Sequence, residues 1–292
     1  MYWVFTILGV SLVTVALRDI FHTLWHPGGF GPLSHAAFVL TWRATRVLSR
    51  RPRGSELGGP LGLLLTLAVW TVMLVAGFAL IYLPRMPDGF NYASSLDVPT
   101  SSGPLGAVYV SVVALTTLGL GDIQPASSTL RLLLPIEALL GFLLLTAGIS
   151  WILQLYPALV RRRALARHLT TMRRCGTAEQ VGSGDAAAVH HLEGLRSELA
   201  MVHVDLVQYE ESYYFREASP DLALAAALPY VDTLASAGQR SSSPAVQHSA
   251  RLLAGELSAL LQRLRRHHLR RSEDEASTLA AFARDHGYEG QT

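Results

Sequence analysis

Seven consecutive residues, Thr116-Thr117-Leu118-Gly119-Leu120-Gly121-Asp122, combine the types that could do chemistry here. Two threonines supply hydroxyls, an aspartate closes the run, and two glycines alternate with leucines between them. To turn successive peptide carbonyls toward one side, a backbone must alternate between right- and left-handed regions, and the left-handed ones are open mainly to glycine. Gly119 and Gly121 meet that need. Thr117 can offer both a carbonyl and a hydroxyl, and Leu118 and Leu120 are expected to point away into packing. A Gly-x-Gly pair by itself also fits ordinary turns and phosphate loops, so the flanks decide. The run follows a short apolar stretch at 105–115, is closed by Asp122 and Pro125, and lies between two long hydrophobic segments. A non-helical loop at membrane depth is tolerated only where it is buried in protein or lines water. The arrangement points to a pore.

The elements that must hold such a loop are apolar. Half of the 292 residues are hydrophobic and only 16% are charged, a poor composition for a soluble chain of this size. The net charge of +2 is too small to argue for nucleic acid, and the single Cys175 excludes an intrachain disulfide or a cysteine metal cluster. Residues 1–25 begin with an uncharged run at 2–17, with no preceding positive residue and no clear small-x-small cleavage site, so they read as a retained membrane helix. Arg18, Asp19, His22 and Trp25 fall at its interfacial end. His22 and His26, one turn apart, read as interfacial histidines rather than a metal pair. In 32–53, Phe38, Val39, Trp42, Thr45 and Arg46 recur with a helical period, and Arg43, Arg46, Arg50, Arg51 and Arg53 gather at the end. That is the pattern of an amphipathic helix on the inner membrane face.

After a hinge at 54–60 comes the pore domain at 61–156. Its outer helix at 61–83 is an unbroken apolar run that, at about 1.5 Å per residue, crosses a core of about 30 Å. An exposed loop follows at 84–103, then the pore loop at 104–125 and an inner helix at 131–156 with Pro135 in its first turns. Arginines crowd 43–53 and 161–174 but are few in 84–103. The positive-inside rule therefore sets the amino terminus outside a cell membrane and the carboxyl terminus in the cytosol. The expected fold class is an all-α membrane protein with three transmembrane helices, a re-entrant pore helix and a helical cytosolic domain.

Together with its flanks, the run resembles the pore loop of potassium channels, whose filter reads TVGYG. In that family four chains each donate a loop, and its carbonyls replace the water around a dehydrated ion. The resemblance implies a homotetramer in a lipid bilayer, with K+ held by Thr117, Leu118, Gly119, Leu120 and Gly121 and no cofactor beyond the permeant ion. Thr116 and Asp122 would support the filter, Asp122 by tying the loop to the pore helix and by making the mouth attractive to cations. With the filter glycines aligned, Arg131 matches a basic residue common at the start of the inner helix, and Gly141 falls where the family often places a hinge. The alternative role for Gly141 is close helix packing, and Gly148 is the other hinge candidate. Three positions depart from the pattern: Leu120 lacks a bracing hydroxyl, Tyr109 stands where many members have tryptophan, and Val113 where some have an acid.

Glu137 is the one acid within the inner span. A charge at mid-bilayer costs on the order of 2.5–3.5 kcal/mol, so it should have a partner or lie near the outer interface. The reading favoured is support behind the filter, bonded to pore-loop backbone or hydroxyls; the other is exposure to the outer vestibule. No span carries arginines at every third position, as a voltage sensor would.

The cytosolic domain at 157–292 opens with Arg161, Arg162, Arg163, Arg167, Arg173 and Arg174 on a continuing helix. These could attract anionic lipid or serve only as stop-transfer and topology signals. A linker is expected at 176–184, then helices at 186–217, 220–235, 244–269 and 273–286. Gly182-Ser183-Gly184 follows no strand and lacks the later acid of a dinucleotide site. The acidic, aromatic 210–217 and the basic 263–271 could meet across subunits, or form solvated faces over an aromatic core. Eight of the eleven histidines lie from His168 onward, which permits a proton sensor, though no regulatory ligand can be named. The expectation is a passive potassium-selective channel with a TLGLGD filter and no enzymatic activity. A non-selective cation channel of the same architecture and a non-conducting sensor with a vestigial loop are the alternatives.

Overall fold

The computed structural model describes residues 2–26, 30–48, 56–269 and 272–288. The basic end expected at Arg50, Arg51 and Arg53, and the hinge residues at 54–55, lie outside them. Among the described residues three helices are long and apolar enough to cross a membrane: α1 (Tyr2–Leu24), α3 (Gly58–Tyr82) and α6 (Ser128–Arg174), with α2 (Pro32–Leu48) between the first two. The chain is an all-α membrane protein. It divides into two compact units, one of residues 1–38 and 61–153, the other of 39–60 and 154–292.

In the first unit, α1 meets α3 through glycines. A Cβ on Gly9 would lie 2.4 Å from the Gly77 carbonyl oxygen, and one on Gly77 would lie 2.6 Å from Val13 Cγ2. Small residues let apolar helices approach where lipid gives no hydrophobic push. The polar tie is Asp19, expected at a wet interface but only 2% exposed. Its carboxylate accepts from Leu33 N (2.9 Å) and Ser34 N (3.2 Å) in the first turn of α2, from Ser34 Oγ (2.6 Å), and from Trp70 Nε1 of α3 (2.9 Å). An acid on one helix thus caps another, satisfying amides that have no intrahelical partner. Trp70 in turn packs near Trp151 of α6, ring centroids 5.8 Å apart.

The segment after α3 is more ordered than a plain exposed loop. Phe90–Tyr92 forms β1, Val98–Ser101 is the short helix α4, and Phe90 is buried with Phe78, Tyr82, Val110 and Leu130. The helix α5 spans Pro104–Leu115, and β2 (Ile123–Pro125) pairs antiparallel with β1, Tyr92 opposite Ile123. This ladder fixes the outgoing end of the loop. α6 begins at Ser128, so Pro135 sits in its interior rather than its first turns and leaves the Arg131 carbonyl without its helical donor. The helix nevertheless continues unbroken to Arg174.

The second unit is a helical bundle. The expected linker at 176–184 is instead a helix, α7 (Thr177–Ser183), followed by α8 (Ala186–Gln208), α9 (Leu224–Ala227), α10 (Pro229–Gln239), α11 (Pro244–His267) and α12 (Glu275–Asp285). α8 buries Leu192, Leu195, Leu199, Val202 and Leu206, and α11 buries Val246, Ala250, Leu253, Leu257 and Leu260, the three-and-four spacing of a core-facing stripe. α8 stops nine residues before the expected 217; a five-residue 3-10 helix at Glu210–Tyr214 takes over. The acidic and basic segments thought able to meet across subunits meet within one chain, with Glu210 Oε1 3.0 Å from His267 Nδ1 and Glu210 Oε2 3.8 Å from Arg263 Nη2.

Arg161, Arg162 and Arg163, expected either to attract anionic lipid or to serve as topology signals, are engaged inside this unit. Arg161 forms a bidentate pair with Asp205 (2.6 and 2.8 Å), and Arg163 Nε meets Glu217 at 2.8 Å. Arg162, 6% exposed, donates to the carbonyls of Ser212 (2.5 Å) and Phe215 (2.6 Å). A guanidinium has a fixed fork of donors, and here it holds the 3-10 turn against α6.

Candidate functional site

The loop after α5 has the backbone that its residue types ask for. Thr117, Gly119 and Gly121 have φ of +57°, +60° and +76°, alternating with Leu118 and Leu120. Thr117 is the one non-glycine with positive φ among the described residues. An L-residue there costs about 1–2 kcal/mol, and a β-branched side chain makes the conformation still more unusual. The strain lies where the alternation must begin if a threonine is to offer its hydroxyl. Sequence reasoning assigned left-handed positions to the glycines alone; the every-second-residue spacing back from Gly119 was the available signal.

The neighbouring elements grip the loop at both ends. At the incoming end Thr117 N donates to Ala114 O (2.9 Å), Leu118 N to Val113 O (3.0 Å) and Thr116 Oγ1 to Val112 O (2.7 Å). At the outgoing end the Tyr109 hydroxyl donates to Asp122 Oδ2 at 2.6 Å, Gln124 Nε2 donates to Gly121 O at 2.8 Å, and Ala93 N donates to Asp122 O at 2.8 Å. Tyr109 therefore ties α5 to the loop from the position where many potassium channels have tryptophan, although Leu120 has no hydroxyl to give. No atom outside the immediate neighbours would lie within 4 Å of a Cβ on Gly119, so its requirement for glycine comes from φ and not from space.

Leu118 and Leu120 do not pack within the chain; they are 62% and 59% exposed. Thr116 and Thr117 border an apolar recess of about 510 Å³, together with Leu67, Phe142, Leu145 and Ile149.

Behind the loop lies Glu137, 0% exposed. Its Oε2 accepts from the Tyr82 hydroxyl at 2.6 Å and its Oε1 from the Ser111 hydroxyl. The Ser111 hydroxyl, in the middle of α5, is a partner of the kind expected from the 104–125 segment; the Tyr82 hydroxyl, at the end of α3, lies outside it and was not expected. One turn further along α6, a Cβ on Gly141 would lie 1.8 Å from the Leu115 carbonyl oxygen. That is backbone against backbone, and it gives Gly141 a packing reason to be glycine. Gly148 is freer, with Leu67 Cδ2 at 3.1 Å from such a Cβ. Arg131 Nε reaches Pro125 O at 3.3 Å, just past the loop.

Residues 66–156 match a family model described as "Ion channel". The match takes in most of α3, all of α5 and the loop, and the first part of α6, to residue 156. The Bacillus subtilis protein named "Uncharacterized membrane protein YdjJ" is 27% identical over 175 residues, covering 59% of this chain and 50% of that protein. The chain thus spans about half the length of that curated relative. No solved structure matches the chain.

Proposed function

We propose, from the ion-channel family segment at residues 66–156, that this chain is one subunit of a potassium-selective channel. The observation that carries the reading is the alternation of positive φ at Thr117, Gly119 and Gly121. Repeated about an axis, such loops offer stacked rings of carbonyl oxygens, with the Thr117 hydroxyl at the inner end, in place of an ion's hydration shell. The protein catalyses no bond chemistry; it lowers the barrier to transit.

What one chain leaves uncovered supports assembly. α6 buries 17% of its most apolar stretch, against 39% for α3, and Leu132, Ile136, Leu139 and Leu143 stand exposed along it. Four copies around the loops would cover that surface and give Leu118 and Leu120 neighbours. By the arginine distribution, the amino terminus lies outside and the helical domain in the cytosol, where it assembles or regulates the pore.

Ion flux from liposomes holding the purified protein tests this directly, with potassium and sodium gradients compared and Gly119 replaced by valine. A β-branched residue cannot hold φ near +60° without strain, so Gly119→Val should abolish potassium-selective flux. Flux of both ions in the wild type would favour the non-selective channel. Flux that survives the substitution would remove the filter reading.

A further inference from the structure

Glu137 is placed to do more than occupy a buried site. Its carboxylate joins three elements: its own helix α6, α3 through the Tyr82 hydroxyl at 2.6 Å, and the pore helix α5 through the Ser111 hydroxyl. Ser111 Oγ also lies 3.1 Å from the Val75 carbonyl of α3. Glu137, Ser111 and Tyr82 are each 0% exposed, so no water can substitute for a lost bond without a new cavity.

The same two helices touch again one turn on, where Gly141 of α6 abuts the Leu115 carbonyl. Ser111 and Leu115 are four apart on α5, and Glu137 and Gly141 are four apart on α6. The helices are thus pinned in register by one polar contact and one steric contact. The steric contact limits how closely they approach, but a glycine face alone does not stop them sliding. The carboxylate does, because its two oxygens are committed to two different helices, Oε1 to α5 and Oε2 to α3. The amides of Thr117 and Leu118 hang from the last carbonyls of α5, so a pore helix that slides carries the filter with it.

We infer that Glu137 is a positioning residue for ion discrimination: by sharing its carboxylate between Ser111 and Tyr82 it sets the depth at which α5 presents Thr116 to Gly121. This rests on the filter reading above and adds to it a determinant outside the filter motif. The bonds, and not the charge, carry the role. Glutamine has the same shape, and hydroxyls both donate and accept, so Glu137→Gln can keep both contacts. Glu137→Ala keeps neither.

The test uses the full-length protein and two readouts. The first is protection of the purified protein against heat by KCl relative to NaCl, which needs no open gate, since a bound ion stabilises by mass action. The second is the potassium-to-sodium permeability ratio in liposomes. Glu137→Gln should keep the wild-type preference in both. Glu137→Ala should lose the K+-specific protection and lower the permeability ratio by roughly tenfold or more. Ser111→Ala and Tyr82→Phe each remove one bond with little change of volume, should fall between, and supply the answer if Glu137→Ala does not assemble. A K+ preference that survives all three bond-removing variants overturns the inference while leaving the filter intact. So does a Glu137→Gln variant as impaired as Glu137→Ala, which would assign the role to charge. A wild type indifferent to K+ and Na+ removes the filter reading itself, and the inference falls with it.

Discussion

Asp19 and Glu137 are both carboxylates buried in membrane-spanning helices, yet they are held by different kinds of partner. Asp19 faces two peptide N–H groups and an indole N–H, with the Ser34 hydroxyl beside them. Glu137 faces two hydroxyls. An N–H can only donate, so whatever stands at 19 must accept from several directions at once. A hydroxyl can donate or accept, so the site at 137 tolerates a group that does some of each. The first arrangement fixes a helix start, the second a helix register. What a buried acid requires is therefore read from the direction of its partners' hydrogens, and its burial alone says little.

The largest expected effect tests that difference. Asp19→Asn turns one acceptor oxygen into an NH2 that must face a donor, and burial leaves both without a partner. It should cost about 2–3 kcal/mol, seen as a lowered Tm of the purified protein, whereas Glu137→Gln should cost less than about 1 kcal/mol. Equal costs at the two sites would break the comparison. The neighbouring Gly31 is part of the same fit, since a Cβ there would lie 2.4 Å from Asp19 Oδ1.

The next effect concerns how the register at Glu137 is completed. Gly141→Ala drives a methyl into the Leu115 carbonyl, which cannot move without shifting α5, and overpacking of this kind costs about 1–3 kcal/mol. Gly148→Ala meets only the end of a leucine side chain and should be close to neutral in the same Tm measurement. If Gly148→Ala proves the more damaging, α6 is pinned further along than the contact with Leu115 indicates. The pair also bears on the hinge assignment. A glycine required by a neighbouring carbonyl need not be a point of bending, and α6 is continuous through both positions.

Much of this was legible in the sequence where a residue type records its own backbone. Gly119 and Gly121 announce left-handed positions, and the apolar runs give the three spans and the pore helix. Glu137 announced that it needed a partner but not which one. Asp19 looked interfacial because its partners lie 14, 15 and 51 residues away, and no local pattern encodes a cap supplied by another helix. Residues 176–184 looked like a linker because glycine marks both the end of a helix and a loop. The arginines at 161–163 matched a membrane-facing cluster in composition, but Asp205, Glu217 and the carbonyls of the 3-10 turn, which hold them, became their neighbours only on folding. Which of those charges pair inside the chain could not be read from the sequence, since burial and pairing are tertiary facts.

His286 supplies the third case, outside the membrane helices, where the facing groups can only accept. Its Nε2 lies 3.0 Å from Tyr213 O and its Nδ1 3.2 Å from Phe282 O, with the rings of Trp42, Tyr213 and Phe282 within 5.3 Å. Two carbonyls would suit an imidazolium, but burial, reinforced by Arg162 and against the pull of Asp285, lowers the pKa from 6.5 to about 4. The folded state therefore holds the ring neutral, donating from Nε2 to the shorter contact. Its contribution to stability is complete above pH 6.5 and is lost as pH falls through 6.5 toward about 4, because the unfolded chain takes the proton first. Between pH 6.5 and 5.5 that loss is about 1 kcal/mol. His286→Gln can keep the bond to Tyr213 O without titrating, so the Tm difference between wild type and variant should narrow over that interval, the carboxylates common to both cancelling. A difference that widens as pH falls would mean the two carbonyls hold an imidazolium after all, and that acceptor direction outweighs burial here as donor direction does at Asp19; a constant one would mean that folding leaves the pKa where it was.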